Sequence, residues 1–355
     1  MKRMTTRNWQ EELTWLVDAY RAVLPIKELL SRIQTQYADG QVWTTLEFQD
    51  AVIDVVVHDA IVQKYAPPRS YTYRFLKQYT DAIERVMAEL SDALVAELME
   101  FVAVGRMTDR SAVDSEEMHH VTYRVPRQVA RTETDITVTC RVASVFNEVG
   151  LKIWEAGWFL AEYIFAHPEQ FEDRTVLELG AGVGFTGIAL AKCVRTKKLI
   201  LSDYAPRVML NLRYNVEINA ADLYLSPVDI DTVDWETWDP QHDSVESQPD
   251  ILLAGDCVYD VAVFPYLVRV LQVFLGSETE QDGSQPRRVG IFAATIRNQA
   301  TFQTFLDTLK QYRIEYEDIT VESTKKMSDT PLFPYENREQ FRLCKLYRSI
   351  QASSQ

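Results

Sequence analysis

The run Thr-Val-Leu-Glu-Leu-Gly-Ala-Gly-Val over residues 175–183 constrains this chain more than any other stretch. A short apolar strand carries an acid, Glu178, near its end and runs into Gly180, Gly182 and Gly184. Glycine permits backbone conformations and close approaches that a Cβ forbids. Backbone N–H groups over Gly180, Ala181 and Gly182 can therefore come near a ligand. The helix expected next, Phe185 to Cys193, would turn its positive end to the same place. Such a strand, turn and helix belong at the C-terminal edge of a parallel sheet, where nucleotide-like cofactors bind.

The glycines allow two registers. Gly180-x-Gly182-x-Gly184 behind Glu178 fits S-adenosylmethionine, whose amino group is cationic. Gly182-x-Gly184-x-x-Gly187 matches the dinucleotide fingerprint. A carboxylate beside the turn suits a cation and repels a pyrophosphate, and the second register leaves Gly180 unexplained. The methyl-donor register is therefore preferred. A purely structural turn would cost chain entropy at three glycines with no packing return.

The texture of the chain divides it. The first hundred residues carry apolar residues at helical spacing, over Trp9 to Gln36, Phe48 to Val62 and, after Pro67-Pro68, Tyr71 to Val104. Gly105 to Glu117 reads as a polar linker, and Val121 to Val125 and Ile136 to Cys140 as two short strands. From Trp154 onward strands and helices alternate. Strands are expected at Arg174–Leu179, Leu199–Ser202, Leu225–Val228, Ile251–Ala254, Val289–Ala294, Ile314–Val321 and Phe341–Tyr347. This alternation predicts a parallel, doubly wound α/β sheet, closed by an antiparallel pair because no helix is expected between the last two strands. Gly276 to Arg288 reads as a polar loop.

Candidate site residues follow strand ends. Asp203 lies 23 residues beyond Gly180, where a carboxylate can accept both hydroxyls of an adenosine ribose; the plain alternative is a turn or capping acid. Tyr204 could touch an adenine or be an ordinary turn tyrosine. Trp235 could cover an adenine face or pack in its loop, with Trp238 as rival, and Trp154 carries the same ambiguity. Asp256-Cys257-Val258-Tyr259 follows the fourth strand. Asp256 could hold a lysine ammonium and Tyr259 orient the amine, since methyl transfer needs positioning more than acid–base chemistry. Otherwise Asp256 caps the helix expected from Val261 and Tyr259 is core.

Bulk composition excludes several classes. The 355 residues are 46% apolar and 25% charged, ordinary globular values with room for one large domain or two. A formal charge of −15 argues against nucleic acid as a direct partner and permits a basic protein surface. Between Tyr214 and Val268 stand twelve acids and no Lys or Arg, either a steering rim for a basic substrate or a solvated face. Cys140, Cys193, Cys257 and Cys344 match no zinc spacing or disulfide framework, so no metal is expected. No cleavable signal or membrane span is visible, and a soluble, cytoplasmic protein is expected.

Together Trp154, the Val176–Gly182 run, Ser202-Asp203, Asp234-Trp235 and Ala254-Gly-Asp-Cys-Val-Tyr259 resemble the seven-strand protein methyltransferases of methyltransferase family 16. More narrowly, Ala293-Ala-Thr-Ile-Arg-Asn298, Leu332-Phe-Pro-Tyr-Glu336 and Lys64-Tyr-Ala-Pro-Pro68 resemble the branch that acts on elongation factor 2. The resemblance spans nearly the whole chain, most strongly from Gly150 to Leu346. It implies a class I (Rossmann-like) seven-stranded sheet with a helical N-terminal region. It also implies S-adenosylmethionine held by Trp154, the Gly180–Gly182 backbone, Asp203, Trp235 and the Ala254-Gly255 edge, with Asp256 and Tyr259 bordering a substrate lysine. Gly255 departs from the family's alanine, which would loosen the pocket slightly. On this view residues 1–117 recognise the protein substrate, 118–150 form a hairpin connection and 151–355 form the catalytic domain. A monomer acting on a lysine of elongation factor 2 is expected. The other readings are methylation of another protein or a small amine, and a non-catalytic scaffold that keeps the fold.

Overall fold

A computed structural model describes residues 8–105, 118–144, 148–223, 226–239, 249–276 and 288–348. Most of the expected linker (106–117), the loop core (277–287) and Leu225, at the start of the expected third strand, lie outside the described residues. The chain forms two compact units, one drawn from 1–124 and 141–147, the other from 125–140 and 148–355.

The first unit is helical: α1 (Trp9–Glu12), α2 (Thr14–Arg21), α3 (Ile26–Gln36), α4 (Leu46–Ala51), a π-helical turn (Val52–Val57), α5 (Ala60–Lys64), α6 (Arg69–Arg85) and α7 (Asp92–Gly105). The expected apolar stripes are largely buried, with Leu16, Tyr20, Phe48, Phe75 and Tyr79 fully enclosed, while Val86 stands exposed. Their continuity is not kept. The helix expected over Trp9 to Gln36 breaks at Val23, with φ +57°, ahead of Pro25, and that over Tyr71 to Val104 breaks at Met87, with φ +58°. Buried Gln49 secures the second break. Its amide donates to the Glu89 carbonyl at 2.9 Å and accepts from the Ser91 N–H at 2.8 Å, so a polar side chain in the core is satisfied. Ser91 then caps α7 by accepting from Leu94 N–H at 3.2 Å.

Strands β1 (Met118–Val125) and β2 (Ile136–Ala143), with α8 (Arg127–Ala130) between them, form a two-stranded sheet that contributes residues to each unit.

The second unit is built on seven strands: β3 (Thr175–Leu179), β4 (Lys198–Asp203), β5 (Val228–Thr232), β6 (Ile251–Gly255), β7 (Val289–Thr295), β8 (Ile314–Asp318) and β9 (Phe341–Arg348). Their order is β5-β4-β3-β6-β7-β9-β8. Pairs from β5 to β7 are parallel, and β9 lies antiparallel between β7 and β8. The doubly wound sheet with an antiparallel closing pair is thus present. The associated helices are α9 (Glu155–Ala166), α10 (Phe185–Cys193), α11 (Pro206–Asn219), α12 (Phe264–Phe274), α13 (Gln299–Gln311) and α14 (Thr320–Thr324). Two boundaries differ from expectation. The third strand sits later, on acid-bearing Val228–Thr232, a composition that an edge strand tolerates. The strand expected over Ile314 to Val321 stops at Asp318, whose carboxylate accepts the Thr320 N–H at 2.9 Å at the start of α14.

The order in which strands are added reverses between β3 and β6, the switch point at which open α/β sheets leave a crevice. On β3, Leu177 and Leu179 join the core formed with α12 and α13, where Phe264, Phe292 and Phe305 cluster. Period-two alternation sends Glu178 to the opposite face, under α10. The approach of α10 to the sheet depends on Gly187: a Cβ there would lie 2.2 Å from Leu201 Cδ2 and 2.6 Å from Glu178 Oε2. Gly187→Ala is therefore expected to destabilise the protein by about 1–3 kcal/mol through overpacking, read as a lower thermal midpoint. An unchanged midpoint would show that α10 has room to spare.

Candidate active site

The crevice is assembled from four strand ends. After β3, Gly180, Gly182 and Gly184 all hold positive φ, at +62°, +56° and +83°. This turn is tied to the end of β4. Ala181 N–H donates to the Ser202 carbonyl at 2.8 Å, Ser202 Oγ donates to the Glu178 carbonyl at 2.7 Å, and Gly182 N–H donates to Asp203 Oδ2 at 3.0 Å. Two of the amides expected to face a ligand are thus used internally. Gly180 is needed for close packing as well as for its φ: a Cβ there would lie 3.0 Å from Cys257 Sγ and 3.3 Å from Trp235 Cζ2. Trp235, after β5, lies over the turn, while Trp238 is buried against Phe274.

Asp203 is buried at the end of β4. Besides Gly182, it accepts the N–H of Tyr204 at 2.8 Å and of Ala205 at 3.4 Å, both on Oδ1. Burial raises its carboxyl, and the three amides oppose that rise. A carboxylate has about four acceptor positions, so capacity remains for a ligand hydroxyl. Tyr204 stands exposed beside it.

Glu178 departs from expectation. It is not an open carboxylate beside the turn but lies buried beneath α10. Burial pushes it up to about 8, against the Gly187 amide and the Thr186 hydroxyl, which favour its charged form. Those groups lie close, yet Oε2 makes no hydrogen bond of normal geometry. Direct pairing with a cationic ligand is therefore not the role this position serves; it supports the helix behind the turn.

After β6, Ala254 is buried, and Gly255 abuts the backbone of α9: a Cβ there would meet Gly157 Cα at 3.2 Å. The glycine serves close packing rather than a looser pocket. Residues 256–259 are not helical, and Asp256 holds φ +59°. Asp256 is buried and Tyr259 half exposed, so they do not share a helix face. Burial, then Cys257, Tyr204, Asp260 and Asp203, raise the Tyr259 hydroxyl. Helix capping falls instead to Asp260, which accepts the Ala262 N–H at 2.9 Å.

The carboxylate of Asp256 is engaged. Arg297, in the turn after β7, donates Nη1 to Oδ1 at 3.1 Å and Nη2 to Oδ2 at 2.7 Å. The same guanidinium lies 5.2 Å from the ring centroid of Trp154, whose indole donates to the Val149 carbonyl at 3.0 Å. Sequence reading gave Arg297 no role; its place just past a strand end was the available signal. The Leu332–Glu336 segment fixes the start of α9 nearby. Leu332 N–H donates to Glu162 at 2.8 Å, Glu336 N–H donates to Glu155 at 3.0 Å, and Phe333 stacks on Trp158. Arg338 pairs with buried Glu162, whose carboxyl burial raises. Among the described residues no cluster of His, Cys, Asp and Glu could hold a metal, and no helix is long and apolar enough to cross a membrane.

The model of the lysine methyltransferase family matches residues 135–312, which span this crevice. The chain belongs to the lysine methyltransferase family. Protein-lysine N-methyltransferase EEF2KMT of Mus musculus is 30% identical over 305 residues, covering 83% of each chain. The Homo sapiens enzyme of that name is 30% identical, covering 81% of this chain and 82% of its own. Protein-lysine N-methyltransferase EFM3 of Chaetomium thermophilum is 27% identical, covering 75% of this chain and 83% of its own. Among solved structures, the N-methyltransferase NodS of Bradyrhizobium japonicum is 13% identical, with a TM-score of 0.36, and covers 54% of this chain and 85% of its own. The fold assignment rests on the strand order itself.

Buried Glu178 gives the stability of this lysine methyltransferase a pH dependence. Its folded carboxyl titrates at about 8, against roughly 4.3 when unfolded. Between those values the unfolded state binds fewer protons, so stability falls as pH rises. Glu178→Gln is expected to remove this fall, and its stability advantage over wild type to grow by a few kcal/mol from about pH 5 to 8. Denaturant unfolding across that range measures it; a constant difference would contradict the burial argument.

Proposed function

We propose that this protein transfers a methyl group from S-adenosylmethionine to the ε-amine of a lysine in elongation factor 2. The observation that carries the donor assignment is the junction of the glycine turn with Asp203 at the sheet's switch point. The residues fit the donor. Trp235 and Cys257 close on Gly180 at the floor of the crevice, and Asp203 keeps acceptor capacity for a ribose hydroxyl. Trp154, Ala254, Gly255 and Tyr204 stand around the same crevice. When bound, S-adenosylmethionine supplies an electrophilic methyl on a sulfonium.

The chain's own residues position rather than activate. Asp203 orients a ribose, Trp235 and Trp154 wall the crevice, and Tyr259, half exposed at its mouth, aligns the incoming amine. Orientation of this kind supplies much of the barrier reduction for a bimolecular transfer. The choice of elongation factor 2 is supported by the motif resemblance and by the likeness to EEF2KMT enzymes over 83% of the chain. A cytoplasmic location accords with that substrate. The scaffold reading gains no support, because the turn, Asp203 and the groups after β6 are intact.

Two measurements test this reading. Mass spectrometry of elongation factor 2 after incubation with protein and donor is expected to show a lysine heavier by one or more methyl groups; an unmodified factor beside a labelled different protein would refute the substrate assignment. Asp203→Ala is expected to weaken donor binding about 10- to 100-fold, as loss of hydrogen bonds to a charged acceptor implies. Unchanged affinity by calorimetry would disprove the ribose role.

A further inference from the structure

The acidity of this sheet edge works against the reaction. A lysine attacks a methyl group only as the neutral amine, and nearby carboxylates hold it as ammonium. The groups around the crevice are Asp256, Tyr259 and Asp260 after β6, Asp203 and Tyr204 after β4, Cys257 at its floor with Glu178, whose charged form burial disfavours, and Glu155 at the start of α9. From Tyr214 to Val268 no Lys or Arg offsets them. Arg297 is the cation that the structure joins to this set.

Its placement is specific. The side chain of Asp256 is 4% exposed and that of Arg297 48%, so the carboxylate lies behind the guanidinium. An amine arriving from solvent meets the cation first. The pair is held from below, where Asp256 N–H donates to the Ala293 carbonyl at 2.9 Å and Oδ1 accepts the Thr295 N–H at 3.4 Å. Trp154 backs the guanidinium from the side.

We propose that Arg297 sets the protonation state of the target lysine: fixed on Asp256 and Trp154, its charge at the mouth of the crevice makes the ammonium release its proton to solvent as it enters. Asp256 then acts through Arg297, as a positioning residue, and does not hold the ammonium. The inference rests on lysine methylation at this site, not on elongation factor 2 as the substrate.

The test is the pH profile of kcat, which reports groups in the bound complex, for wild type, Arg297→Gln and Arg297→Lys on whichever lysine protein wild type labels. A like charge beside an amine disfavours the ammonium, and because Arg297 is half exposed and paired with Asp256 the shift is expected at the small end. The acid limb of Arg297→Gln is expected to move up by about one pH unit, roughly a tenfold loss of rate below the limb, and Arg297→Lys to restore the wild-type limb. A second readout needs no donor. In Arg297→Gln, Asp256 is a buried carboxylate without its cation, so the melting temperature should fall below wild type at pH 8 and the gap should narrow as the pH is lowered. An acid limb that stays in place while the rate drops evenly, or a melting gap that ignores pH, would overturn the proposal. Failure of elongation factor 2 as the substrate is read from wild type alone and is thereby separate.

Discussion

The donation from Gly182 N–H to Asp203 Oδ2, 3.0 Å long, joins the two strand ends on which the site depends. It fixes a left-handed glycine turn, whose glycines are otherwise free to take many conformations, against a buried carboxylate that needs partners. Each side offsets the other's cost: the amide is satisfied and the charge is stabilised. The neighbouring donation from Ala181 N–H to the Ser202 carbonyl, at 2.8 Å, repeats the tie one residue earlier. With the turn fixed, α10 starts where Gly187 lets it lie flat on β3 and β4, and the crevice is defined before any ligand arrives.

Much of this was legible because local chemistry and fold agree. The strand from Thr175 to Leu179, the three-glycine turn and the helix from Phe185 to Cys193 appear with the boundaries their composition dictates, and the sheet order follows from strand and helix alternation. The helical unit was legible in its apolar stripes but not in its breaks. Val23 and Met87 take positive φ, a conformation β-branched or long side chains rarely adopt, and no turn residue stands at either position. The Ser91-Asp92 start of α7 was a local signal available in the sequence. The third strand was placed too early because Asp229 and Asp231 disfavour a strand, a penalty that an edge position relieves.

The site was legible in its positions and less so in its roles. Asp203, Trp154, Trp235, Gly180 and the residues after β6 do converge on one edge. Their assignments shift once distances are known. Glu178 reads as an acid beside a turn, but period-two alternation buries it under α10, and its charge is withheld. Asp256 reads as a free acid, but Arg297, 41 residues later, takes both oxygens. Such a pairing depends on which strand ends meet, information that spacing along the chain does not carry.

The proposed occupant of the Asp203-tied turn is S-adenosylmethionine rather than a dinucleotide. Calorimetric titration of the intact protein with S-adenosylhomocysteine and, separately, with NAD tests it most directly. One-to-one binding of the first and no heat from the second is the predicted result. Saturable binding of NAD, or no binding of S-adenosylhomocysteine, would contradict the account.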